Sequence, residues 1–138
     1  MQWKYQFSEV DEQILEPYVG FVYRITNLTN QKKYIGKKLL KFKKTKIVKG
    51  RKRKFLIDSD WKRYWGSNKN LIADVKDLGE DNFNREILRL CLSRSECNYF
   101  ELKYQIDLGV MESDQYYNEW ILARINKIHL KKIDFSKN

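Results

Sequence analysis

Residues 18–38 read YVGFVYRITNLTNQKKYIGKK, and this stretch decides the fold. From Tyr18 to Ile25 the residues are β-branched or aromatic, which suits a pleated, half-buried surface and predicts a strand. Asn27-Leu28-Thr29-Asn30 is turn chemistry, because Asn and Thr side chains hydrogen-bond the local backbone. Lys33-Tyr34-Ile35-Gly36-Lys37 then reads as the return strand of a hairpin. A turn centred between Leu28 and Thr29 places Tyr23 opposite Tyr34, two phenols side by side on one face. Such a pair is ordinarily packing. Gly20 and Gly36 near the ends of the same ladder, however, leave room for a backbone or ligand to approach closely.

Outward from the hairpin, residues 32–54 hold thirteen Lys/Arg and no acid, whereas outside them acids outnumber bases by 18 to 15. The formal charge of +10 therefore belongs to one segment. A block of one sign is the footprint expected opposite a polyanion, with nucleic acid first, an anionic membrane second and a solvated loop third. Leu39, Leu40, Phe42, Ile47, Val48, Phe55, Leu56 and Ile57 interrupt the block. With Gly50 between two β-prone runs, they predict a basic hairpin arm over 38–57.

Downstream, DWKRYWGS (residues 60–67) predicts a short helix with an acidic start and a glycine stop. Trp61 and Trp65, four apart, share a face of that helix and read as core before they read as a base-stacking platform. Ser67 or Asn68 caps a second helix whose stripe is Leu71, Ile72, Val75 and Leu78, closed by Gly79. FNREILRLCL (83–92) is a third strand. The longest helix starts at Ser93 or Ser95 in a capping-box pattern and runs to about Leu108, with Gly109 behind it. Residues 1–17 have no clear period. The expectation is one α/β (α+β) domain: a small three-stranded antiparallel sheet flanked by helices, in the order β-β-(basic arm)-α-α-β-α. An N-terminal extension spans 1–17, the core 18–120 and a basic tail 121–138.

Composition removes several chemistries. The 138 residues suit one domain, and 42% hydrophobic with 14% aromatic residues is too rich for disorder. The only histidine is His129, so multi-histidine nucleases, His-rich zinc sites and Ser-His-Asp hydrolases cannot be assembled. Cys91 and Cys97 are too few for a structural zinc and read as small buried apolar residues. No apolar run approaches membrane-spanning length, and Met1–Glu9 lacks a signal peptide's apolar stretch, which predicts a soluble protein of the cell interior. Carboxylates, tyrosines, arginines and lysines must carry any chemistry.

Glu101 is out of place. Cys97, Phe100, Tyr104 and Leu108 follow the spacing of a buried helical face, and Glu101 sits among them. An ionised carboxylate there must be paired, protonated or bound to a metal. The plain alternative is a salt bridge at the stripe edge, to Arg94 or Lys103.

Taken together, Gly20-Phe21-Val22-Tyr23 and Tyr34-Ile35-Gly36 resemble the paired motifs of the GIY-YIG endonuclease family. Phe21 stands where that family usually has glycine, and YIG is intact. The aromatic-basic DWKRYWGS resembles small phage-type members; LGEDNF (78–83), Glu101 and Tyr117-Asn118 follow in the family's order. The resemblance covers about residues 18–120. It implies a DNA endonuclease with one divalent metal, Mg²⁺ with Mn²⁺ as a substitute, that leaves 5′-phosphate and 3′-hydroxyl ends. Mg²⁺ suits one carboxylate because it keeps several waters.

By the same resemblance, Glu101 is the metal's protein ligand, Tyr23 the general base, Tyr34 the group that positions water or phosphate, and Asn118 an orienting residue. A free tyrosine at pKa ≈ 10 is a poor base, so nearby cations must favour its phenolate. Arg63 matches the family's phosphate-binding arginine in one register. In another, Asp60 takes that position and Arg51 or Arg53 must substitute; Tyr64 falls where the family often has histidine. Lys37, Lys38, Lys41, Lys43, Lys44, Arg51, Arg53 and Lys62 are the predicted DNA contacts, with the tail at 124–132. The implied partner is double-stranded DNA, with a homodimer as one route to double-strand cuts. A phage or mobile-element origin would place the protein in the host cytoplasm.

Two rivals stand beside this reading. Glu101-Leu102-Lys103 with Asp81 or Glu86 upstream loosely resembles PD-(D/E)xK nucleases, which need the E-x-K on a strand. A non-catalytic nucleic-acid-binding module would need only the basic block.

Overall fold

The computed structural model describes residues 2–121. At its centre β3 (Gly20–Asn27) lies between β4 (Lys33–Leu39) and β7 (Phe83–Cys91), antiparallel to both. β3 is buried almost throughout, so its sequence runs apolar instead of alternating. α3 (Arg94–Asp107) covers one face of the sheet, with Cys97 packed in the cluster of Val22, Ile35, Cys91 and Val110. On the other face Trp3, Phe21, Tyr23, Ile25, Trp61 and Phe83 form the main core with Leu71 and Val75 of α2 (Lys69–Leu78). Asn68 Oδ1 caps α2 by accepting from the Leu71 N–H at 3.0 Å, and Ser93 Oγ caps α3 by accepting from the Glu96 N–H at 3.1 Å. Of the four-residue stripe predicted on α2, only Leu71 and Val75 are buried; Ile72 and Leu78 are exposed. Among the described residues, no helix is long and apolar enough to cross a membrane.

The sheet has five strands where the sequence predicts three. β1 (Lys4–Tyr5) pairs in parallel with β7, and β2 (Ser8–Glu9) pairs with β1, giving the order β2-β1-β7-β3-β4. Two-residue strands are too short to show a period, and they form because β7 offers an unpaired edge that the chain covers. The segment that reads as an extension also supplies core. Trp3 is 1% exposed, meets Phe21 and Tyr23 edge to face, and donates from Nε1 to the Trp61 carbonyl at 2.8 Å. Behind it α1 (Glu12–Leu15), capped by Asp11, buries Leu15.

The hairpin register also differs from the prediction. Tyr23 pairs with Gly36, and Tyr34 pairs with Ile25. The loop is longer than a two-residue turn: Asn27 donates to the Lys32 carbonyl, Gln31 donates to that of Asn27, and Gln31 sits at φ +62°. The slip is two residues, so both phenols keep the same face and become diagonal neighbours 6.1 Å apart.

The predicted helix over DWKRYWGS is a single 3-10 turn, Trp61–Arg63, after which Tyr64 is extended. Buried Arg85 takes the carbonyls of Lys62 and Tyr64, at 3.2 and 2.8 Å, that a continuing helix would use itself. Trp61 is core, while Trp65 packs edge-on to Phe83 and over the Arg85 guanidinium at 4.1 Å, so the two are not one helical face.

The basic block forms a separate two-stranded ribbon, β5 (Lys41–Val48) with β6 (Arg51–Asp58). Its turn is Lys49-Gly50, both at positive φ (+52° and +73°), the geometry that matches strand twist. Ser59 closes the root, its N–H and Oγ donating to the carbonyls of Leu40 and Leu39 at 2.9 and 2.6 Å.

Because Trp3 fills the core from the segment expected to be an N-terminal extension, Trp3→Ala should cost about 3–5 kcal/mol in chemical denaturation. A loss below ~1 kcal/mol would mean that the N-terminal strands are a detachable addition.

Candidate active site

Tyr23 and Gly36 face each other across β3 and β4, and the tyrosine ring lies over the glycine. A Cβ on Gly36 would stand 2.5 Å from Tyr23 Oη and 2.7 Å from its Cζ, so only glycine admits the ring. The β3–β7 register shifts between Val22 and Tyr23, an irregularity that re-aims a side chain next to this pair. Tyr23 is 1% exposed, ringed by Trp3, Phe21, Tyr34 and Tyr64. Gly66 lies alongside, where a Cβ would come within 3.4 Å of both Tyr23 Oη and the Tyr34 ring.

Beside this packing opens a cleft of about 350 Å³, lined by Tyr34, Lys37, Tyr64, Ser67, Asn68, Glu101, Gln105, Glu119, Trp120 and Ile121. β4 is the edge strand, so side chains from its two faces meet at the cleft: Tyr34 from the core side and Lys37 from the α3 side. The face of α3 towards the sheet is Cys97, Glu101 and Gln105, one every four residues, with Cys97 and Gln105 buried and Glu101 half-buried. Leu108, predicted on that stripe, is exposed. Gln105 Nε2 donates to the Ile35 carbonyl at 3.0 Å. Asn118 clamps the same residue, donating to the Ile35 carbonyl at 2.8 Å and accepting from its N–H at 3.0 Å. The YIG strand is thus held by its middle residue.

Of the predicted salt-bridge partners of Glu101, Lys103 pairs with Asp107 at 3.0 Å, and Arg94 forms no ion pair with Glu101. Glu86, the upstream acid of the alternative nuclease pattern, pairs with Arg24 at 2.7 Å. With E-x-K on a helix and its lysine turned to an exposed ion pair, the PD-(D/E)xK alternative is overturned. Burial raises the Glu101 carboxyl, opposed by the Lys37 charge and a hydrogen bond from the Lys37 backbone. Lys37 itself bonds Asn98 Oδ1. Tyr23 is pushed well above the ordinary phenol value by burial first, then by Tyr64, Tyr34 and Glu101. Tyr34 is raised by burial and lowered by its hydrogen bond with Ser67 Oγ at 3.0 Å.

Among the described residues, no group of three or more His, Cys, Asp or Glu can hold a metal by itself. Glu101 and Glu119 are the carboxylates that line this half-open cleft, and no histidine or cysteine lines it among the described residues. That fits a hard cation which keeps most of its waters and shares a ligand phosphate.

The structure brings Tyr34, Glu101 and Lys37 into the cleft, with Tyr23 beneath and Asn118 behind. Lys38 lies close by, 2.6 Å from Asp60 and 4.1 Å over the Tyr64 ring. Arg63 does not join them: it is exposed on the 3-10 turn and lines no part of the cleft. Arg51 and Arg53 lie on the arm with Lys41, Lys43 and Lys44, and Lys62 pairs with Glu12 at 2.8 Å. The tail at 124–132 and His129 lie outside the described residues. Sequence reasoning passed over Ser67, Gln105 and Glu119 in the cleft lining; Gln105 was readable as the next position after Cys97 and Glu101 at four-residue spacing.

Two outcomes follow from this geometry. Gly36→Ala must displace the Tyr23 ring and should cost about 1–3 kcal/mol, read by urea denaturation; no loss would mean that the ring does not lie over the glycine. Glu101→Gln should melt higher than wild type at pH 7 in EDTA. The raised native carboxyl makes wild-type stability fall as pH rises through its folded value, so the difference should vanish below the unfolded glutamate value near ~4. A lower melting point for Glu101→Gln at pH 7 would assign the carboxylate a structural ion pair.

The family model described as "Putative endonuclease segE, GIY-YIG domain" matches residues 3–121. Among curated proteins, "Putative endonuclease segE" of Enterobacteria phage T4 is 35% identical over 98 residues, 71% of this chain and 39% of that protein. The chain thus spans well under half the length of this relative. No solved structure matches significantly. The hairpin packed through Tyr23 and Gly36 is the part of the matched region that carries the paired motifs, and the chain belongs to the GIY-YIG family.

Proposed function

We propose that the chain is an endonuclease that hydrolyses phosphodiester bonds of double-stranded DNA, with Glu101 as the protein ligand of a divalent cation, Mg²⁺ or Mn²⁺. The observation that carries this reading is Glu101: a half-buried carboxylate with no cationic side chain bonded to it among the described residues, in one cleft with Tyr34 and Tyr64. A structural role would leave such a group paired. Bound there, a divalent cation supplies stabilisation of charge on the phosphate.

Each residue then has a task. Tyr23 is the proton acceptor, and Tyr64, whose ring meets that of Tyr23 and lines the cleft, links the buried phenol to it. Tyr34 orients the water or a phosphate oxygen, with Ser67 fixing its hydroxyl. Lys37 and Lys38 hold the backbone of the strand being cut. Of the arginines expected to stabilise the developing charge, Arg51 and Arg53 lie towards the tip of the arm and Arg63 lines no part of the cleft, so none is already aimed there in the free protein. Asn118 acts through Ile35 and is a positioning residue. In-line attack by water would leave 5′-phosphate and 3′-hydroxyl ends.

A supercoiled-plasmid assay tests the reading. Wild type should nick with Mg²⁺ and not with EDTA, Glu101→Gln should abolish nicking, and Tyr23→Phe and Tyr64→Phe should each lower the rate by about 10²–10⁴. All three variants should bind a duplex within about threefold of wild type. A wild type that binds yet cuts nothing with Mg²⁺ or Mn²⁺ would make the chain a binding module.

A further inference from the structure

The arm has two faces, and they are not equivalent. Residues paired directly across a ribbon share a face, and successive residues alternate. One face carries Phe42–Ile57, Lys44–Phe55, Lys46–Arg53 and Val48–Arg51; the other carries Lys41–Asp58, Lys43–Leu56, Thr45–Lys54 and Ile47–Lys52. Each has four cations, so composition alone does not choose between them.

Their roots do. On the first face Phe42 lies 5.1 Å from Lys38 Nζ, which lies 4.1 Å over the ring of Tyr64, a residue of the cleft. On the second, Lys41 and Asp58 line a hollow with Glu12, Glu16 and Lys62, so three carboxylates face two lysines, one of them paired with Glu12. At the first root Lys38 is balanced by Asp60, whereas the second keeps an excess of one carboxylate, so a phosphate backbone is favoured at the first. The first face also sets Lys46 directly opposite Arg53, a like-charge pair that costs stability in the free protein and is relieved only by an anion. Phe42 and Phe55, 40% and 42% exposed, stand on this face among the cations. The ribbon's eight pairs reach roughly 26 Å at ~3.3 Å per residue, separate from the main sheet. The major groove, about 12 Å wide, admits a two-stranded ribbon, whereas the minor groove, about 6 Å wide, is too narrow.

We propose that the face bearing Phe42, Lys44, Lys46, Arg51, Arg53 and Phe55 lies in the major groove of the duplex whose backbone enters the cleft, with the opposite face turned away. The proposal rests on the reading of the chain as acting on duplex DNA. The cations bind the phosphates that flank the groove, and the phenylalanines meet apolar base edges such as the thymine methyl. Binding through the arm then fixes which phosphate reaches Glu101.

The test removes equal charge from each face. Lys44, Lys46, Arg51 and Arg53 are replaced by Ala in one variant, Lys41, Lys43, Lys52 and Lys54 in the other. Binding to a 30-base-pair duplex in EDTA is followed by fluorescence anisotropy across salt concentrations. The first variant should bind at least about tenfold more weakly at 0.15 M salt, with the log–log salt slope reduced by about 3–4. The second should lose less than about threefold, with the slope reduced by at most about 1. Lys46→Glu against Lys54→Glu should repeat the asymmetry with single changes, and melting temperatures at or above that of wild type confirm folding. Methyl green, a major-groove ligand, should displace the wild type; netropsin, a minor-groove ligand, should not. Equal losses, a reversed asymmetry or displacement by netropsin alone would overturn the proposal. Plasmid nicking by the wild type is measured alongside: asymmetric binding without nicking would sink the nuclease reading and leave the groove face standing, and no binding at all would sink both.

Discussion

The Tyr23 ring lying over Gly36 is the contact from which the site is built. Because Gly36 has no side chain, the ring can lie across β4, where Trp3, Phe21, Tyr34 and Tyr64 enclose it. These neighbours come from three parts of the chain, so this one packing joins the N-terminal segment, the hairpin and the segment before α2. Arg85 completes the joint. Its guanidinium lies between the rings of Trp3 and Trp65, at 4.7 and 4.1 Å, and holds the carbonyls of Lys62 and Tyr64. Burial lowers it to about 10, so it stays charged at neutral pH and keeps those bonds strong.

An edge strand is where such a cleft belongs. Inside the sheet, β4's two faces would be separated by a neighbouring strand, and Tyr34 and Lys37 could not meet at one opening. The cost of an edge is unpaired backbone, and residues 115–118 cover it. Lys33 exchanges hydrogen bonds with Gln115 and Tyr117, and Asn118 stands in for a strand at Ile35. Tyr117 is itself tied down: its hydroxyl accepts from Asn27 and donates to Asp74 at 2.6 Å, and burial with this pairing raises it to about 12. The edge is closed by backbone at Lys33 and by side chains at Ile35, which leaves the opening beside Tyr34 and Lys37.

How legible this was in the sequence depends on how local each feature is. The helix caps, the Lys49-Gly50 turn and the three long strands are local, and the residues that make them could be read directly. The hairpin register was misread by two because an Asx-type loop with Gln31 in the left-handed region is longer than the turn chemistry suggested. The 3-10 turn was read as a helix because what ends it, Arg85, lies more than twenty residues away. Trp3 had no periodic company, since its partners belong to other strands. Glu101 was legible as a misfit on the face that Cys97 begins, and Phe100 and Tyr104 of the expected stripe pack, partly buried, against that cluster. Nearest the sheet stand Cys97, Glu101 and Gln105, two of them polar; the position the stripe missed is Gln105, which donates to the Ile35 carbonyl.

That choice of a polar face explains the electrostatics of the cleft. Glu101 raises Tyr23 and Tyr34, the phenols oppose one another's ionisation, and burial disfavours every charge among them. The surrounding charge has the other sign, with Lys37, Lys38 and the arm forming a cationic rim. Such an arrangement attracts an anion to its margin while its centre resists becoming anionic. A cation at Glu101 would reverse the second tendency for all three groups at once, and a phosphate held by the rim would supply the oxygen that one carboxylate cannot. Neither ligand suits the cleft as well alone as the two do together. On this argument the affinity for the cation should be coupled to the affinity for the polyanion, because each removes the electrostatic cost of binding the other.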